Sequence, residues 1–159
     1  GPRLEVPSAV LENVNEVLVP NTPERMFVTC LYIALDPATG RLQFANAGHN
    51  LPYVSHGDGV LELRATGMPL GLFAGATYEL KDAVVAPGTR LLLHSDGLAE
   101  AHNRERDMFG LPRIVEVMEN CGRDDDLIEG LLDELDRFTG PDWEQEDDIT
   151  LVTLERLQP

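Results

Sequence analysis

Residues Met26 to Leu35, "MFVTCLYIAL", form a nearly continuous apolar run rich in strand-forming side chains. A run of this kind predicts a strand buried on both faces, and such a strand needs a covering layer on each side. A sheet packed between helices and a second sheet supplies both layers. The turn Asp36-Pro37-Ala38-Thr39-Gly40 and a returning strand from Arg41 to Ala45 make the run one arm of a hairpin.

The rest of the pattern agrees with this frame. Ser8 to Leu18 reads as a helix that Ser8 can cap, with Val10, Leu11, Val14, Val17 and Leu18 on one face. Leu51–Ser55 and Val60–Arg64 form a second hairpin around Gly57-Asp58-Gly59. Strands are expected over Thr77–Val85, Arg90–His94 and Ile149–Leu154, and helices over Leu111–Asn120 and Asp126–Phe138. Long hairpins with segregated helices give an α+β fold rather than alternating βαβ units. Gly1-Pro2 reads as a protease scar left by expression, so residues 3–159 carry the fold.

Charge excludes some partners. The net charge of -16 disfavours nucleic acid, whose phosphates need Lys and Arg, and it disfavours anionic membrane surfaces. No apolar run approaches the ~20 residues of a bilayer span, so no membrane insertion is expected. Cys30 and Cys121 lack metal-type or CxxC spacing and read as buried free thiols, which fits a reducing, cytoplasmic setting. The acidic stretch from Asp124 to Asp148 reads as solvated helix surface.

Two strands carry carboxylates at their ends. In "LLLHSDGLAEA" Asp96 follows an apolar strand, and in "EDDITLVTL" Asp147 and Asp148 precede one. If the two strands are antiparallel neighbours, the acids emerge at one edge, where unpaired carboxylates repel. A divalent cation removes that conflict, and oxygen-only ligands favour Mg²⁺ or Mn²⁺ over zinc. Gly97 would let backbone approach a ligand closely. Taken singly, Asp-Gly after a strand is also the spelling of a plain turn, and Asp-Asp before one that of a cap.

At this point the sequence resembles a known family. "NAGHNLP" (Asn46–Pro52), "GMPLG" (Gly67–Gly71), "SDGLAEA" (Ser95–Ala101), "FG" (Phe109–Gly110) and "EDDITLV" (Glu146–Val152) occur in that order. Together they resemble the bacterial PPM-type metal-dependent serine/threonine phosphatases, in the branch of stage II sporulation protein E and the sigma-factor regulators. The resemblance implies part of a four-layer αββα sandwich with antiparallel sheets. It implies that Asp96 and Asp147 are metal ligands and act through a metal-activated water. It implies that Asp148 and Gly97 support them from behind. Asn46, His49 and Gly67 would belong to loops beside the site, with His49 either near the leaving group or simply hydrogen-bonding its loop. His56, His94 and His102 show no ligand spacing.

The implied reaction is hydrolysis of phosphoserine or phosphothreonine on a regulatory protein, such as an anti-sigma-factor antagonist, with two Mn²⁺ or Mg²⁺ ions in the complete site. The family's N-terminal "GD-x-x-G-H/K-G" motif has no counterpart in this sequence. Residues 3–159 are therefore expected to be the C-terminal portion of the domain, incomplete for catalysis alone and prone to self-association through uncovered apolar surface. The alternative is a catalytically inactive partner-binding module of a signalling protein.

Overall fold

The computed structural model describes residues 5–57 and 59–157. Gly1-Pro2, and Asp58 of the expected Gly57-Asp58-Gly59 turn, lie outside the described residues. In chain order the elements are α1 (Pro7–Leu18), β1 (Cys30–Leu35), β2 (Arg41–Ala47), β3 (Tyr53–His56), β4 (Gly59–Glu62), β5 (Lys81–Val84), β6 (Arg90–His94), α2 (Asp96–Ala99), α3 (Gly110–Asn120), α4 (Leu127–Thr139) and β7 (Leu151–Glu155). This is the expected α+β class, with two antiparallel sheets and segregated helices. The chain forms two compact units, one from Gly1–Leu51 with Leu63–Ala86, the other from Pro52–Glu62 with Pro87–Pro159.

The first unit holds α1 and a sheet of order β1-β2-β5 around Leu11, Ala45, Ala47, Leu70 and Tyr78. The long apolar run departs from expectation here. It is strand only from Cys30 onward, and Ala34 is its one fully buried residue. Met26, Phe27 and Val28 are 60 %, 54 % and 48 % exposed, and Val28 makes only an isolated bridge to Leu70. The reason is position: β1 is an edge strand with a sheet partner, β2, on one side. The strand expected over Thr77–Val85 likewise shortens to four residues. Residues before Lys81 leave the ladder because Glu79 closes onto Thr66, whose amide donates to Glu79 Oε2 at 3.0 Å.

α1 also differs in detail. Its cap position falls on Val6, not Ser8, with Pro7 in the first turn, where a missing N–H is harmless. Its buried face is Pro7, Leu11 and Asn15, while Val14 and Val17 are exposed. Asn15 can go inside because its amide donates to Phe73 O at 2.8 Å and accepts from Gly71 N at 2.9 Å. A hydrophobic pattern does not register such a polar pair.

The second unit holds a sheet of order β4-β3-β6-β7 with α2, α3 and α4. Leu127, Leu131 and Leu135 recur every fourth residue and put one face of α4 into a core shared with Leu92, Leu98, Phe109 and Ile114. Each such leucine contributes about 1.5–3 kcal/mol on burial. Asp126 caps α4, accepting from the Ile128 and Glu129 amides at 2.8 and 3.2 Å. Phe109 meets Phe138 edge-on at 5.6 Å, and Arg113 lies 4.2 Å above the Phe138 ring. This core braces the sheet end from which the acids emerge. Among the described residues no helix is long and apolar enough to cross a membrane.

Candidate metal and phosphoester site

β6 ends at His94 and β7 begins at Leu151, and these two residues pair in an antiparallel register. The residues after His94 therefore run beside those before Leu151. Ser95 ties the junction: its amide donates to Thr150 O at 3.0 Å, its Oγ donates to Asp148 O at 3.1 Å, and that Oγ accepts from Thr150 N at 2.9 Å. Asp96 is the first residue of α2, and both it and Asp147 are exposed.

The backbones come very close here. A β-carbon on Gly97 would lie 2.4 Å from Asp148 O and 3.0 Å from Asp148 C, so only glycine fits. Asp147 Oδ1 accepts from the Asp148 amide at 2.7 Å, and Gln145 Nε2 donates to Asp147 O at 2.8 Å. Asp148 thus steadies Asp147 through its main-chain N–H. A cavity of about 280 Å³ opens at this edge, lined by Gly97, Glu100, Ala101, His102, Glu146 and Asp147.

Sequence reasoning passed over two of those residues. His102 Nδ1 lies 2.8 Å from Glu146 Oε2, and Arg106 Nη1 donates to Glu146 Oε1 at 2.8 Å. The hydrogen bond from His102, followed by the one from Arg106, holds the Glu146 carboxyl below the ordinary carboxylate range. The signal was present as charge opposition: "HNRER" at 102–106 faces "EQEDD" at 144–148.

Asn46, His49 and Gly67 belong to the first unit. Asn46 is only 2 % exposed, and its side chain donates to His49 O at 2.8 Å and accepts from His49 N at 2.7 Å. His49 Nδ1 lies 3.2 Å from Thr29 Oγ1. Gly67 is pressed against the same loop, since a β-carbon there would stand 2.1 Å from Asn46 O. His94 is buried in the second unit, its ring stacked on Tyr53 at 5.9 Å. Cys30 and Cys121 are free and half-buried, and burial pushes the Cys30 thiol up.

The donors at the β6–β7 edge are carboxylate oxygens, which suit a hard divalent cation. They fit in kind more than in number. Among the described residues no group of three or more His, Cys, Asp or Glu side chains converges to hold a metal ion. A wider groove of about 770 Å³ runs along α3 and α4 and is lined mainly by surface carboxylates and arginines.

The two antiparallel sheets with their helices match the fold of PP2C phosphatase domains. The SiaA-PP2C domain of Pseudomonas aeruginosa shares the fold with a TM-score of 0.78 at 23 % identity, covering 95 % of this chain and 60 % of that one. The RsbU and RsbW domains of Rv1364c from Mycobacterium tuberculosis match with a TM-score of 0.76 at 26 % identity, over 99 % of this chain and 43 % of that one. More particularly, the chain belongs to the Stage II sporulation protein E (SpoIIE) family, whose model matches residues 2–157. Phosphoserine phosphatase RsbU of Bacillus subtilis is 29 % identical over 154 residues, which cover 94 % of this chain and 45 % of RsbU. Protein IcfG of a Synechocystis species is 26 % identical over 133 residues, 82 % of this chain and 21 % of IcfG. The chain thus spans less than half the length of these curated relatives.

Proposed function

We propose that this chain is the C-terminal portion of a cytoplasmic PPM-type phosphatase domain, which hydrolyses phosphoserine or phosphothreonine on a regulatory protein of a sigma-factor pathway. Similarity to RsbU, and the RsbW domain that accompanies the matching domain in Rv1364c, support this partner class. An anti-sigma-factor antagonist in its phosphorylated form is the substrate that best fits this setting.

The observation that carries the reading is the β6–β7 register, which runs the Asp96 segment beside the Asp147 segment across the Gly97–Asp148 contact. Asp96 and Asp147 would hold Mn²⁺ or Mg²⁺ together with further oxygen donors. Such an ion supplies Lewis acidity, which favours deprotonation of water and offsets charge on a phosphoryl group. The chain's own residues fix the geometry. Asp148 N–H engages one Asp147 oxygen and leaves the other to bind. Ser95 locks the two strand ends together, and glycine at 97 keeps the main chains in contact. Within the first unit, the Asn46 latch shapes the "NAGHN" loop.

The test is phosphate release from a phosphoserine substrate with Mn²⁺, on this chain and on the chain joined to an upstream segment bearing the family's "GD-x-x-G-H/K-G" motif. The joined form should turn over, with Asp96→Asn and Asp147→Asn each losing roughly 100-fold. Unchanged turnover in both variants would refute the site and leave a partner-binding module as the better description.

A further inference from the structure

The segment 140–150, which carries Asp147, contains no helix or strand, and residues 144–148 are all exposed. Packing holds it at Trp143 and Ile149, which lie against the second unit's core, and leaves the exposed residues between them to side-chain ties. On its C-terminal side Ser95 supplies ties to Asp148 and Thr150. On its N-terminal side the ties come from alternate residues of one loop. His102 Nδ1 meets Glu146 Oε2 at 2.8 Å, and Arg106 Nη1 donates to Glu146 Oε1 at 2.8 Å. Between them in sequence, Arg104 Nη2 donates to Pro141 O at 2.7 Å and to Asp142 Oδ2 at 3.1 Å.

That loop is itself rigidly built. The Phe109 amide donates to Ala101 O at 2.7 Å, Asn103 N to Asp107 O at 3.0 Å, and Asp107 N to Asn103 Oδ1 at 2.8 Å. Arg106 sits at φ 68°, a left-handed conformation that is uncommon for a non-glycine residue. A preformed loop thus presents hydrogen-bonding side chains at fixed spacing to a segment that has no regular structure of its own.

We infer that His102 and Arg106, acting through Glu146, form a clamp that positions Asp147. Glu146 is a positioning residue, one peptide bond from the acid it sets, and His102 and Glu146 line the same cavity as Asp147. Exposed ion pairs add little to global stability. Their effect here is local: they restrict an otherwise loose stretch, and a ligand that strays by an ångström binds its ion poorly. The role in metal binding rests on the proposed function of Asp147 as a ligand; the mechanical clamp does not.

The test uses the chain itself, with two readouts. One is hydrogen exchange at the Asp148 and Thr150 amides. The other is Mn²⁺ affinity, read from loss of the free-ion paramagnetic resonance signal. The variants are His102→Ala, Glu146→Ala, Glu146→Gln and Asp147→Asn, with Arg41→Ala as a distant control. Exchange at Asp148 should speed up about five- to tenfold in the two alanine variants, with the thermal midpoint unchanged. Glu146→Gln, which retains an acceptor, should recover part of the protection. Mn²⁺ affinity should fall about 10-fold in the alanine variants.

Unchanged exchange in both alanine variants overturns the clamp. So does acceleration spread evenly over the β6–β7 amides with a lower midpoint, which would mark a general loss of structure. Faster exchange at Asp148 with Mn²⁺ affinity intact overturns the positioning role. If exchange responds as expected but neither the unsubstituted chain nor Asp147→Asn takes up Mn²⁺, the clamp stands and the metal reading of Asp147 fails.

Discussion

Gly97 and Asp148 touch main chain to main chain: a β-carbon on residue 97 would stand 2.4 Å from the Asp148 carbonyl oxygen. Backbone cannot yield as a flexible side chain can. Gly97→Ala should therefore force β6 and β7 apart at this end and cost about 1–3 kcal/mol. Chemical denaturation measures this, and a change below about 0.5 kcal/mol would show that the contact relaxes freely.

Asp96 and Asp147 are exposed and bear no part of the core. Asparagine at either position should leave stability within about 0.5 kcal/mol of the original. Mn²⁺ should raise the melting temperature of the unsubstituted chain by mass action and fail to do so in either variant. A metal-dependent shift that survives both substitutions would place the ion elsewhere.

Asn46 uses both ends of its buried amide on the His49 main chain. Asn46→Ala should cost about 1–3 kcal/mol by stranding those groups. Heteronuclear spectra should show the change centred on residues 46–50 and 66–71, because Gly67 is pressed against the Asn46 carbonyl. Spectra altered evenly across the chain would contradict the latch.

Glu79 is held below its ordinary range by a hydrogen bond from Lys81 and then by Thr66, and Asp82 by Arg41 and then Gln43. With folded values below unfolded ones, the stabilisation is complete above the unfolded carboxylate range and is lost as the pH falls through the folded values. Lys81→Ala and Arg41→Ala should each give a shallower acid limb in a plot of stability against pH. An identical limb would show that these surface pairs do not couple to folding.

Met26, Phe27 and Val28 expose apolar surface beside the edge strand β1. Association that covers them gains about 25 cal/mol per Å² buried. Light scattering during size exclusion should show concentration-dependent self-association that Phe27→Ser weakens. A monomer at all concentrations would remove this expectation.

What could be read in advance, and what could not, follows from the physics of each element. α4 was legible because Leu127, Leu131 and Leu135 repeat at the helical period and Asp126 spells its cap. The approach of the Asp96 and Asp147 segments was legible because one acid closely follows an apolar strand and the other precedes one, so that antiparallel pairing sets both at one sheet edge. The extent of β1 was not, because composition reports a preference for strand and says nothing about whether the ladder has a partner on each side. Asn15 was hidden because its burial depends on carbonyl and amide groups nearly sixty residues away. The His102–Glu146–Arg106 cluster was hidden for a similar reason. Charge runs usually solvate, and only tertiary pairing distinguishes a run that does not. α2, a single turn, was too short to carry a period.

If Asp96 and Asp147 are the proposed ligands, their exposure outside the packed core has an evolutionary consequence. One nucleotide change in either codon could silence chemistry while every packed residue stayed where it is. Descendants of such an ancestor would keep the shape, and with it any contacts made by the outer faces. Enzymes and inert decoys would then be told apart by two side chains rather than by architecture.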